Sequence, residues 1–227
     1  MSNEQLTKNQ EYYKVFDEKI KLTSSPVAMK FVDSEDEVPE GIELISEKVR
    51  HCEMVKKASF GEIFYSTYEE QTCKGGAGAL GLGDMPEKLA SGEKYQSLGR
   101  FKDLDVAKKT VDKLSIIPDK KWGIVYAPLE KANFAPDVVL IIAQPVAGMK
   151  IAQSIVFTLG DKVRANFAGI QSLCGDAVSY PYIEKDINIT VGCDGSRKAA
   201  KVLDEELAIG ISADKLDEVI ENLQLMK

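Results

Sequence analysis

The chain has 227 residues, 44% hydrophobic and 29% charged, with a formal net charge of −7. This balance suits a globular protein rather than a disordered one, and the acidic surface argues against nucleic acid, whose phosphates need a basic face. The apolar run Val138–Ala143 is far shorter than the roughly 20 residues of a membrane-spanning helix, and Met1–Gln10 lacks the apolar stretch of a signal peptide, so no membrane association and a cytoplasmic location are expected.

Gln5–Leu22 is predicted helical, since Tyr12, Phe16 and Ile20 recur four apart on one face. Ser24 and Ser25 mark a turn into a strand over Pro26–Val32. Disorder is expected nowhere beyond the first few residues and the acidic loop Asp33–Pro39. A helix over Arg50–Ser59 carries His51 and Cys52, and Glu62–Tyr68 is extended before Cys73 and a glycine-rich stretch. Leu104, Ala107, Val111 and Leu114 outline an amphipathic helix.

Trp122–Ala127 and Val138–Ala143 are apolar throughout, which implies strands covered on both faces. Val146–Leu159 follows as a helix, Val163–Phe167 as a strand, and Ile170–Val178 as a helix carrying Cys174. Ile187–Gly192 is a strand ending at Cys193, and Ser212 caps a last helix with the stripe Leu216, Val219, Ile220 and Leu223. This alternation predicts a mixed α/β (α+β) layered sheet with flanking helices and some parallel strand pairing. It would form a single domain over 1–227, or two lobes meeting near Ser115–Lys121 with a shared cysteine site.

The four cysteines, Cys52, Cys73, Cys174 and Cys193, contain no C-x-x-C pair, so spacing alone indicates neither a zinc ribbon nor a simple ferredoxin. Their surroundings say more. Arg50 and His51 precede Cys52, Lys74 follows Cys73, and Arg197 lies four residues after Cys193; a nearby cation favours the thiolate that binds metal. Gly75 and Gly76 follow Cys73, Gly175 follows Cys174, and Gly192 and Gly195 flank Cys193. Glycine lets backbone N–H groups approach a thiolate or cluster sulfur. In a reducing compartment such thiols suit a metal better than a disulfide. The four cysteines are therefore candidate ligands of a [4Fe–4S] cluster or of zinc, with Lys74, Gly75, Gly76 and Arg197 as candidate cofactor-binding residues.

Other features are discounted. Gly76–Gly81 fits G-x-G-x-x-G literally but follows the polar Glu69–Lys74, not a buried strand, so it reads as close packing at a helix start or around the cysteine site. His51, the one histidine, points away from Cys52 on a helix and reads as a surface residue. Glu69, Glu70 and Asp176 read as caps or solvated surface, Asp194 or Ser196 as a helix cap, and Met54 and Met149 as core.

The segments Arg50–Val55, Gln71–Ala77, Phe167–Cys174 and Gly192–Arg197, with Ser25–Ala28 and Pro136–Leu140, together resemble the domain of unknown function family numbered 169. That family is common in methanogenic archaea and anaerobic bacteria, and the resemblance runs from about Ser25 to Leu223. It implies an anaerobic setting, which suits an oxygen-sensitive cluster. The expected function is thus a [4Fe–4S] protein of anaerobic redox metabolism, serving electron transfer, sensing or an enzyme. A zinc-stabilised scaffold and a metal-free thiol enzyme or switch are the alternatives. A redox protein or a small anion held by Lys74 and Arg197 is the candidate partner, and a homo-oligomer is compatible.

Overall fold

A computed structural model describes residues 2–160 and 162–227. In chain order the elements are α1 (Ser2–Ile20), β1 (Val27–Val32), α2 (His51–Ser59), β2 (Phe64–Thr67), α3 (Lys74–Ala79), α4 (Glu87–Ala90), α5 (Glu93–Ser97), α6 (Leu104–Val111), β3 (Gly123–Pro128), β4 (Val138–Ala143), α7 (Pro145–Leu159), a π-helix (Ser172–Ser179), α8 (Tyr180–Glu184), β5 (Ile187–Thr190), α9 (Asp194–Ala199), β6 (Leu207–Ser212) and α10 (Ala213–Leu225). Among the described residues no helix is long and apolar enough to cross a membrane.

The six strands form one sheet in the order β2-β3-β1-β4-β6-β5. Every ladder is antiparallel, from Val27 opposite Pro128 and Leu140 to Ile189 opposite Ile209. The expected parallel pairing is therefore corrected: only the isolated bridges Leu44–Tyr65 and Val49–Gln71 are parallel. The cause is strand insertion. β4 and β5 run in the same direction, as the helices between them suggest, but β6 slots between them; β1 likewise separates β3 from β4. The segment Ser115–Lys121 leads from α6 into β3, and strands from both sides of it share the sheet.

Helices cover both faces, which is why every residue of β3 and β4 is buried. One face packs Met29, Tyr126 and Leu140 against Met54, Ala77 and Leu173, from α2, α3 and the π-helix. The other packs Val125, Val139 and Ile209 against Phe16, Ile151 and Val219, from α1, α7 and α10. Burying each large aliphatic side chain contributes about 1.5–3 kcal/mol, so this three-layer core dominates stability. Met54 joins it, but Met149, expected in the core, is 51% exposed on the outer side of α7.

Two further expectations change. Residues 163–167 form no strand: Asn166 N–H donates to Asn188 Oδ1 (2.8 Å) and Asn188 Nδ2 to the Asn166 carbonyl (2.7 Å), so a side chain replaces the ladder. The acidic loop is ordered, with a 3-10 turn at Glu35–Glu37 and Glu37 Oε2 accepting from Asp33 N–H at 2.9 Å.

The helix predicted over Ile170–Val178 is a π-helix launched from Gln171, a non-glycine residue in the left-handed region (φ 50°). Asp176 N–H reaches back five residues to the Gln171 carbonyl (3.2 Å), and Ser179 Oγ donates to the Ala79 carbonyl (2.8 Å) on α3. The π-helix lies directly on β6 at Gly210, where a Cβ would stand 1.8 Å from the Ala177 carbonyl oxygen. Gly210→Ala is therefore predicted to cost about 3 kcal/mol or more, read as a lower midpoint of urea unfolding; an unchanged midpoint would contradict this seat.

Candidate functional site

The sheet face bearing α2, α3, the π-helix and α9 brings the cysteines together. Cys52 is the second residue of α2, Cys73 precedes α3, Cys174 lies in the π-helix and Cys193 precedes α9. All four line one cavity of about 510 Å³, and none is in a disulfide. Cys174 is buried, Cys52 and Cys193 are half-buried, and Cys73 is exposed.

The predicted glycines fit closely. A Cβ on Gly76 would stand 3.5 Å from the Cys174 sulfur and 3.6 Å from that of Cys73. A Cβ on Gly195 would stand 3.6 Å from the Cys193 sulfur. Gly75 also lines the cavity, as does Lys74. The G-x-G-x-x-G stretch thus builds α3 and its close approach to the thiols.

The cations behave less simply. Lys74 Nζ donates to the Tyr68 carbonyl (2.7 Å) and sits 3.7 Å from the centre of the Tyr68 ring. Arg197 faces away from the cavity lining: its guanidinium donates to the carbonyls of Val191 (2.6 Å), Glu206 (3.1 Å), Val202 and Leu203, so it clamps the chain between α9 and β6. At α9, Cys193 itself takes the N-cap position, and its N–H donates to Ser196 Oγ at 2.9 Å. Asp194 instead pairs with Arg100.

The thiols differ in acidity. Burial, reinforced by Cys193 and Cys73, pushes Cys52 up to about 12. Burial and the same neighbours push Cys174 well above the ordinary thiol range. Cys193 goes the other way: burial opposes its ionisation, but hydrogen bonds from Ser172 and Ser196 outweigh burial and lower its pKa. Cys193 is thus acidified by serines, where the sequence pointed to Arg197.

Two titratable groups expected at the surface are buried. His51 is 2% exposed. Its Nε2 lies 3.3 Å from the Leu173 carbonyl, an acceptor only, so Nε2 carries the proton and Nδ1 accepts from Tyr126 O–H at 2.9 Å. His51 thereby ties α2 to the π-helix and to β3. Asp176, 6% exposed, accepts from Thr190 Oγ at 2.9 Å, on the side of the π-helix facing β5. Glu70, by contrast, acts as the expected local cap: its Oε2 accepts from Thr67 N–H (2.9 Å) and Oγ–H (2.8 Å).

Among the described residues no three His, Cys, Asp or Glu side chains are gathered closely enough to hold a single metal ion. Tetrahedral zinc, with Zn–S bonds of about 2.3 Å, needs sulfurs about 3.8 Å apart. A cluster binds each cysteine to a different iron and spaces them more widely.

The two buried titrations have opposite signs. Burial drives the His51 pKa down to about 4, against a weaker pull from the Leu173 carbonyl. The unfolded chain therefore binds a proton between pH 6.5 and 4 that the folded chain refuses, and this contribution to stability falls as pH drops through that window. Burial raises Asp176 to about 7, opposed by Thr190. Its contribution is complete below about pH 4 and is lost as pH rises to about 7. Each is worth about 3–4 kcal/mol. In metal-free protein His51→Gln should gain stability relative to wild type as pH falls from 7 to 4, and Asp176→Asn should lose it, measured as urea midpoints. Curves parallel to wild type would contradict the two buried states.

A family model described as uncharacterised ArCR, domain of unknown function family 169, matches residues 15–222. An uncharacterized protein of Methanocaldococcus jannaschii is 41% identical over 200 residues, covering 87% of this chain and 86% of the relative. No solved structure matches the chain. The family match and the length of the shared sequence place the chain plainly: it belongs to domain of unknown function family 169.

Proposed function

We propose that the chain binds one [4Fe–4S]-type cluster through Cys52, Cys73, Cys174 and Cys193. Its role is in anaerobic redox metabolism, as an electron carrier, a sensor or an accessory to an enzyme. The observation that carries this reading is the convergence of four cysteines from four separate segments on one cavity. Bound there, the cluster would supply one-electron chemistry.

The protein's own groups suit that task. Gly76 and Gly195 leave room beside three of the sulfurs. Ser172 and Ser196 donate toward Cys193 and would hold its charge in the bound state, which tunes a cluster's potential. Leu173 and Ile170 keep one wall apolar, while the exposed Cys73 offers the shortest way in for an electron. A zinc scaffold remains the structural alternative, and zinc analysis separates the two.

The test is cysteine replacement. Cys52→Ser, Cys73→Ser, Cys174→Ser and Cys193→Ser, each reconstituted anaerobically with iron and sulfide, should each bind less iron and lose visible absorbance relative to wild type. Full iron retention in all four variants would rule out a four-cysteine site.

The acidity of Cys193 favours a second reading, a metal-free thiol switch in which a peroxide oxidises the Cys193 thiolate to a sulfenic acid, the peroxide leaving as water or alcohol, and a neighbouring thiol condenses with it to a disulfide with loss of water. In metal-free protein Cys193 should then be the fastest thiol to react with iodoacetamide near neutral pH. Equal labelling of all the accessible thiols would remove this reading.

A further inference from the structure

The outer half of the thiol cavity comes from a part of the chain with no cysteines. α4, α5 and the turn after them fold over it as a cap, placing Leu89, Tyr95 and Leu98 on its wall and Lys88, Lys94 and Arg100 at its rim. The cap is fastened at three points. Tyr95 O–H accepts from Gln171 Nε2 at 2.9 Å, Arg100 pairs with Asp194, and Leu89 packs over Gly75, where a Cβ would stand 3.0 Å from its Cδ1.

The charge of this cavity is opposite to that of the chain. The molecule carries −7, yet Arg50, Lys74, Lys88, Lys94 and Arg100 line the cavity beside a single carboxylate, Asp194. Asp194 neutralises Arg100, and Lys74 is turned toward the Tyr68 carbonyl. Arg50, Lys88 and Lys94 have no carboxylate partner among the described residues. Three unpaired cations around one opening repel one another and raise the local concentration of anions. The guanidinium of Arg50 presents a planar fork that matches a carboxylate. The apolar wall of Leu89, Tyr95 and Leu98 calls for a carbon skeleton, which a bare inorganic anion lacks.

We propose that this cavity binds a small organic carboxylate, its charge held by Arg50, Lys88 and Lys94 and its body against Tyr95 and the two leucines, next to the thiols. The inference shares the cavity with the cluster reading but does not depend on what the thiols hold. The Lys74–Arg197 pair expected from sequence gives way to cations of the cap and of α2.

Equilibrium dialysis of the anaerobically purified full chain against 1-naphthoate and its neutral isostere 1-naphthamide tests it. Naphthoate should bind at one molecule per chain and about tenfold more tightly than naphthamide. Lys88→Gln/Lys94→Gln should weaken naphthoate by about tenfold while leaving naphthamide binding, thermal midpoint and iron content at wild-type values. Failure of naphthoate to bind, equal affinity for the two probes, or unchanged naphthoate binding in the variant would overturn the inference. So would loss of iron in the variant alongside naphthoate, which would assign these lysines to the cluster. Charge-selective binding by a chain that holds no iron even after anaerobic reconstitution would sink the cluster reading and leave the carboxylate site standing.

Discussion

The thiol cavity depends on how closely one helix can lie on the sheet. At Gly210 the backbone of the π-helix meets the backbone of β6 with no space for even a methyl group. That contact sets the height of Cys174 above the sheet and turns Asp176 toward Thr190 on β5. It also brings the Leu173 carbonyl within 3.3 Å of His51, which fixes α2 and with it Cys52. Ser179 reaches the Ala79 carbonyl and holds α3, hence Cys73, from the other side. Three of the four thiol segments are thus referenced to one backbone-on-backbone contact. π-helices are rare and concentrate at functional sites.

Given that geometry, electrostatics decides what the cavity can hold. Two unit charges 4 Å apart interact by about 4 kcal/mol at an effective dielectric of about 20. Four thiolates in one half-buried cavity would therefore repel strongly, and burial holds Cys52 and Cys174 protonated in the free protein while Cys193 is more acidic than either. A positively charged metal core there would attract each thiolate and offset their mutual repulsion. Metal uptake would release protons and link the four segments, so its loss should loosen this face of the sheet. The cations of the cap add to the positive side of that balance from the solvent edge.

Much of this was legible in the sequence, and the failures have physical causes. β3 and β4 stood out because burial on both faces leaves no polar positions. The four cysteines share one cavity with Gly75, Gly76 and Gly195, segments the sequence had singled out by their glycine neighbours. Strand order was not, because insertion of β6 between β4 and β5 is decided by long-range pairing that leaves no local mark. His51 was misplaced because its partner, Tyr126, is 75 residues away. Asp176 did carry a signal that was passed over: a lone acid in the apolar run of the π-helix. Arg197 was assigned by proximity along the chain, whereas its planar fork is spent on four carbonyls. Lys88 and Lys94 belong to short polar helices, and Arg100 to the turn after them, whose place over the cavity only the tertiary structure reveals.

These thiols are proposed to gather around a cluster. Iron, acid-labile sulfide and zinc, determined together on the wild-type chain purified without oxygen, test it most directly. A cluster site predicts a brown protein with iron and sulfide in equal amounts, about four of each per chain, and little zinc. A colourless protein with one zinc per chain, or one holding neither metal after anaerobic reconstitution, would contradict it.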